Sequence, residues 1–258
     1  MSVIITDLQK AECFTLLFQH IKLFTDHINI TFEPERMYMQ STDSARISVF
    51  ELTLPSTWFD TYELINNTPV TLGLQSSMIF KILNIRDKSQ ETHLNFNNGE
   101  DTLFVKFTCN NTAIFDKKFE MPLMDIDSEL MEIPQQESDA EFSIASNTFA
   151  NMVSQLKIFG DTMEFKCTEE KIELYAISQE AGKMLVDINI EDLTSYSINE
   201  GETMHLSFAL TQMHNICMYN KISSEINIYL KKEFPLKLIY NIDEDAEFTF
   251  YLAPKIQD

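Results

Sequence analysis

The chain repeats itself. Phe14, Leu17, Phe18, Ile21 and Phe24, followed by Asp26 and the alternating Ile28, Ile30 and Phe32, recur 135 positions later as Phe149, Met152, Val153, Leu156, Phe159, Asp161, Met163, Phe165 and Cys167. The copies run on through a polar turn, with Met37 and Met39 matched by Ile172 and Leu174. A second block, Leu72, Leu74, Ile79 and Ile82, returns 134 positions on as Leu206, Phe208, Met213 and Ile216. In-register similarity on this scale marks two stacked copies of one structural unit. A length of 258 residues gives each copy enough chain for its own core.

The periodicities predict helices near 9–24, 75–86, 147–159 and 209–221. Short alternating strands are expected near 28–32, 36–40, 46–54, 70–74, 92–96 and 102–108 in the first copy. Those of the second copy fall near 162–167, 171–176, 183–190, 204–208, 225–230, 236–241 and 247–252. Few helices among many antiparallel strands predict an α+β fold with helices on one side of the sheets.

No apolar run is long enough to cross a membrane, and the N-terminus lacks a basic, secretory-type start. Cys13, Cys109, Cys167 and Cys217 form no Cys-x-x-Cys pair, and three of them sit in apolar periodic contexts. They read as buried thiols in a reducing compartment. These features predict a soluble intracellular chain.

The net charge of −21 argues at first against nucleic acid. Its distribution argues the other way. The four helix segments carry Lys10, Lys22, Lys81, Arg86, Lys157 and Lys221 against one acid, Glu12, which leaves 39 of the 40 acidic residues elsewhere. Chance is the bland explanation for such short segments. The sharper one is that all four helices face one polyanion while strands and loops face solvent.

Between the copies, residues 116–134 match neither repeat. The expected division is therefore a first domain 1–115, a connecting loop 116–134 and a second domain 135–258. A flexible tether would be polar, yet this segment holds Phe119, Met121, Leu123, Met124, Ile126, Leu130, Met131 and Ile133. It either covers an exposed core edge or lies across the sheets and presents a groove to partners.

Catalytic chemistry finds little support: there is no glycine-rich phosphate loop, nucleophile elbow or paired-histidine metal spacing. The five histidines are dispersed. No catalytic residue, metal site or cofactor is expected.

Several segments resemble the proliferating cell nuclear antigen family, the eukaryotic-type DNA sliding clamps. They are Met39-Gln40-Ser41-Thr42-Asp43-Ser44, Glu51-Leu52-Thr53-Leu54, Phe59-Asp60-Thr61-Tyr62, the connector Met121-Pro122-Leu123-Met124-Asp125-Ile126-Asp127 and the ending Phe250-Tyr251-Leu252-Ala253-Pro254-Lys255-Ile256. The resemblance covers the whole chain and implies a DNA-clamp fold. It further implies a homotrimeric ring around non-specific double-stranded DNA, working with a DNA polymerase and a clamp loader in the nucleus or at a site of viral DNA replication. Subunits would join edge to edge, Ile114, Phe115, Lys117 and Phe119 of one against Lys183, Leu185, Val186 and Ile188 of the next. Proteins with PIP-box-like motifs, two aromatics and a glutamine, would enter a pocket under the connector. That pocket would comprise Thr42, Arg46, Ile47, Val49, Met131, Ile133, Pro134, Ala209, Pro235, Tyr251, Leu252, Ala253 and Pro254.

The chain departs from the family in places. Thr42 and Arg46 replace a methionine and a histidine of the pocket. Thr15, Leu16, Asn84, Asn151, Ser154, Thr211 and Met218 are neutral where inner helices are basic, and Glu169 stands at a lysine modified by ubiquitin in the family. The thinned basic lining leaves open a clamp-like scaffold or a subunit of a heteromeric checkpoint-type clamp.

Overall fold

The computed structural model describes residues 1–127, 129–134 and 136–255; Ile256 of the C-terminal motif lies outside them. The first copy of the repeat is β1 (Ser2–Ile5), α1 (Leu8–Gln19), β2 (His27–Phe32), β3 (Arg36–Thr42), β4 (Ser48–Pro55), β5 (Thr61–Glu63), β6 (Val70–Gln75), α2 (Ser76–Leu83), β7 (Glu91–Asn95), β8 (Thr102–Thr108) and β9 (Lys117–Pro122). The second is β10 (Ala140–Ala145), α3 (Ser146–Leu156), β11 (Thr162–Cys167), β12 (Lys171–Ser178), β13 (Gly182–Asn189), β14 (Ser195–Ile198), β15 (Met204–Ala209), α4 (Leu210–Cys217), β16 (Glu225–Leu230), β17 (Leu236–Asp243) and β18 (Ala246–Leu252). Every element has a counterpart nine strands or two helices later.

The sheets obey the same rule. The first copy makes one sheet ordered β5-β1-β7-β8-β9, and the second makes β14-β10-β16-β17-β18. The other strands run β4-β3-β2-β6 in one copy and β13-β12-β11-β15 in the other. The named ladders are antiparallel, such as Ile30 opposite Met39 and Phe165 opposite Leu174. The fold is α+β, as the periodicities predict.

Two compact units emerge. The first contains residues 1–44, 51–131 and 243–247, and the second contains 45–50, 132–242 and 248–258. The short exchanges have a plain origin: β4 begins in the second unit and finishes in the first. Within the second unit the Ala253 N–H donates to the Ile47 carbonyl at 2.9 Å. There the Phe50 ring also stands edge-on to Phe248, with centroids 5.6 Å apart.

Each core lies between a helix pair and a sheet. In the first unit, α1 and α2 pack together and bury Phe14, Leu17, Phe18, Ile79 and Leu83 with Ile28, Ile30, Leu72 and Leu74. The second unit buries Phe149, Val153, Leu156, Met213 and Ile216 with Met163, Phe165, Leu174 and Phe208. Burying side chains of this size contributes about 1.5–3 kcal/mol each, so the repeated apolar positions fix both halves. Helix α1 starts where Asp7 caps it, its carboxylate accepting from the backbone N–H of Gln9 (2.8 Å) and Lys10 (2.9 Å). All four cysteines are unpaired; Cys167 and Cys217 are buried, and Cys13 and Cys109 are half-buried. No described helix is long and apolar enough to cross a membrane.

The connector is more structured than its sequence suggests. Its first third is β9, paired along β8 with Phe119 opposite Val105. Beyond it the Met124 N–H donates to the Gly73 carbonyl at 2.9 Å, and the Asn29 amide donates to the Ile126 carbonyl at 2.9 Å. Gln40 then grips the Met131 backbone at both ends, accepting at 2.7 Å and donating at 2.9 Å. A Cβ at Gly73 would stand 2.1 Å from the Met124 carbonyl oxygen, so only glycine permits this approach. Gly73→Ala is therefore expected to lift the connector, read as faster hydrogen exchange at the Met124 amide. Unchanged protection there would refute the role given to Gly73.

Candidate nucleic-acid and peptide interfaces

The helices place their cations unequally. Lys22 and Lys81 in the first unit, and Lys157 and Lys221 in the second, are exposed and make no ion pair within 4 Å among the described residues. Lys10 is held instead: its Nζ donates to the Trp58 carbonyl at 2.9 Å, lies 5.4 Å from the Trp58 ring centroid and sits 4.0 Å from Asp243.

Arg86 differs most from its expected DNA-facing role. Its side chain is 2% exposed and donates to Glu12 at 2.9 Å. Nη1 donates further to the carbonyls of Asp87, Lys88 and Gln90. Burial lowers its pKa, while Glu12 and Asp87 push it back up. The guanidinium thus organises residues 86–90, and its charge faces Glu12. Buried Gln90 continues the network by donating to the Phe115 carbonyl at 2.9 Å.

Around the exposed lysines the helix surface mixes neutral polar residues with exposed apolar ones such as Met78, Ile158 and Met218. On α3 it consists of Asn147, Thr148, Asn151, Ser154 and Gln155. His214 on α4 has its pKa lowered by burial and then by Lys157, both of which favour the uncharged ring. Among the described residues no group of three or more His, Cys, Asp or Glu is placed to hold a metal ion.

The second unit carries a groove of about 560 Å³. Four of the expected peptide-pocket residues line it: Ile133, Pro134, Pro235 and Tyr251. Its floor is the outer face of the sheet, where register sets Ser197, Glu141, Tyr229 and Lys237 in one row across β14, β10, β16 and β17. Phe234 and Ile239 complete the apolar wall. Tyr229, Phe234, Lys237 and Ile239 are absent from the sequence-based set. Strand alternation carries the signal for Tyr229, Lys237 and Ile239, since Ile228, Leu230, Leu236 and Leu238 point into the core and the residues between them must point out; Phe234 lies in the bend before β17.

The remaining expected pocket residues lie around or apart from this groove. Leu252 is fully buried, Ile47 and Val49 are half-buried on the β4 side, and Ala209 ends β15 opposite Thr162. Ala253 and Pro254 are half-buried beyond β18. Arg46 is exposed in a turn at φ 57°. Thr42 and Met131 belong to the first unit, where they line a separate hollow of about 100 Å³ with Gln40, Ser41 and Glu129.

Two sheet edges complete the inventory. β9 ends one sheet and β13 ends another. Just before β9, Ile114 closes a turn onto Asn111, and Phe115 is 83% exposed. Lys117 donates to the Ile85 carbonyl at 2.7 Å, and the Phe119 ring leans on Phe107 with centroids 5.8 Å apart. On β13, Lys183 sits 4.3 Å above the Tyr175 ring, Leu185 is exposed, Val186 is half-buried and Ile188 is buried.

Comparison with known families accounts for the doubled topology. Residues 4–130 match the N-terminal domain of proliferating cell nuclear antigen, and residues 132–255 match its C-terminal domain. The two matches span nearly the whole chain, which belongs to the proliferating cell nuclear antigen family, the sliding clamps. Its members are non-enzymatic scaffolds associated with DNA replication and repair.

Proposed function

We propose that three copies of the chain close head to tail into a ring around duplex DNA. The ring acts as a sliding clamp and polymerase processivity factor and recruits replication and repair proteins through the groove of the second unit. The observation that supports closure most directly is the internal symmetry. β4 and β18 meet inside one chain, and their counterparts under the repeat are β13 and β9, both left as sheet edges. A contact of the same kind, formed between chains, satisfies those edges. It is heterologous, so it closes only by rotation; the number three comes from the family.

In this reading residues 1–115 and 135–258 are the two clamp domains, joined by the connector 116–134. Threading onto DNA removes the need for tight binding, and a few lysine–phosphate contacts that ignore sequence permit sliding. Lys22, Lys81, Lys157 and Lys221 supply these contacts. The thinned lining also fits a heteromeric checkpoint-type clamp subunit, and light scattering separates the two readings. A three-chain mass at micromolar concentration supports the homotrimer, and a stable monomer overturns it. Stimulation of a cognate polymerase on a primed circular template tests the function itself.

The two classes of cation are expected to separate under mutation. Lys81→Ala lowers the slope of log K against log salt for DNA by about one and leaves the melting temperature unchanged. Arg86→Met leaves the slope alone but removes a buried donor from three carbonyls and a carboxylate, a destabilisation of about 2–3 kcal/mol. A slope change with Arg86→Met, or none with Lys81→Ala, would reverse these assignments.

A further inference from the structure

We infer that the groove selects partner peptides bearing a carboxylate beside their aromatic anchors, and that Lys237 is the residue that reads it. The inference rests on the peptide-binding role proposed above for this groove and adds the chemistry of the ligand. Three walls are apolar, formed by Ile133 and Pro134, by Phe234 and Pro235, and by Tyr251. An aromatic anchor suits them. The floor does not match that character, because Lys237 faces into the same space from β17.

Lys237 has no carboxylate within 4 Å among the described residues. Its Nζ lies instead 5.7 Å from the centroid of Tyr229, its cross-strand neighbour. Of the other charged residues lining the groove, Glu137 is exposed at its rim, while Lys231 and Glu141 are engaged. Lys231 donates to the Glu137 carbonyl at 2.8 Å and lies 4.0 Å from Asp139. Glu141 accepts from the Ser138 hydroxyl at 3.0 Å. Glu141 stands two strands from Lys237, about 10 Å at the usual strand spacing.

The row therefore runs from an anionic end at Glu141 to a cationic end at Lys237. Lys237 is the groove cation with no carboxylate partner among the described residues, so a bound peptide's acid is drawn to the β17 end, beside Pro235 and Tyr251, where its aromatic would also rest. An acid placed there joins an ammonium that apolar neighbours partly shield from water, which strengthens the pairing relative to an open surface. An acid at the opposite end meets Glu141 and is disfavoured. Both preference and polarity follow from this one arrangement.

The test uses synthetic peptides carrying a glutamine and two adjacent aromatics, with glutamate or glutamine scanned through the four positions flanking the aromatics. Calorimetry on the full chain is expected to show at least one position where glutamate binds about fivefold tighter, a preference that shrinks with salt. Lys237→Met should erase the preference, so that the glutamate and glutamine peptides bind this variant equally. Lys237→Glu should transfer it to a lysine peptide at the same position. Equal affinities throughout, or a preference that survives Lys237→Met, overturn the inference and leave the groove as a peptide site. If no peptide binds at all, the groove reading fails and this inference with it.

Discussion

Phe115→Asp is expected to leave every chain folded and to abolish the ring. At 83% exposure this is the most exposed large apolar side chain among the described residues. Its removal therefore takes almost nothing from the chain's own core. What holds it in place is its backbone, through the carbonyl that Gln90 reaches from the 86–90 loop. Phe115 leads directly into β9, the edge proposed to meet β13 of the next copy. Burying a phenylalanine there contributes about 1.5–3 kcal/mol per contact, and an unpaired aspartate in its place adds a desolvation penalty. The variant should scatter as a single chain at micromolar concentration, with the far-UV spectrum and melting temperature of the isolated native chain. Leu185→Asp on β13 should do the same from the other side. A three-chain mass for both variants would refute pairing through these edges.

The same edges show why so much of this fold can be read in its sequence. The core positions recur at a fixed interval because both copies solve one packing problem, two helices laid on a sheet. Alternation located the long strands within a residue or two, β8 and β16 among them. Five strands escaped, and four of them form corresponding pairs: β1 with β10 and β5 with β14. The reason is length and composition. β5 is the three residues Thr61–Glu63, too short to show a period of two, while β10 carries the small residues Ala140, Ser143 and Ala145. The fifth, β9, opens with two lysines and reads as connector, though pairing with β8 settles its conformation. Individual sites were less legible. Basic residues on helices look alike in sequence, and nothing in the spacing tells that Arg86 folds back onto Glu12 while Lys81 stays in solvent. That distinction depends on the loop 87–90 offering three carbonyls, a tertiary arrangement. The groove was half visible for a related reason, since its rim lies in motifs and its floor belongs to ordinary strands.

Tyr251→Ala is expected to remove partner-peptide binding while the ring survives. Tyr251 lines the groove from β18, with Ile133 and Pro134 in one wall and Pro235 beside it. An aromatic anchor needs surfaces on more than one side to leave water completely. Truncating a central contact of this kind costs about 2 kcal/mol or more, a loss of affinity of at least about thirtyfold. Because Tyr251 is nearly buried, its truncation also perturbs β18, and a fall in affinity alone would not separate packing from recognition. Ile133→Ala provides that separation, since Ile133 is only half-buried and lies in the connector, outside the named strands. Both variants should keep the three-chain mass, because neither β9 nor β13 lines the groove. Both should also lose the effect of a competing peptide on a polymerase assay. If Ile133→Ala binds the aromatic peptides as tightly as the native chain, the connector does not form a wall of the site. The recruitment surface would then have to be sought elsewhere, beginning with the smaller hollow around Thr42, Gln40 and Met131.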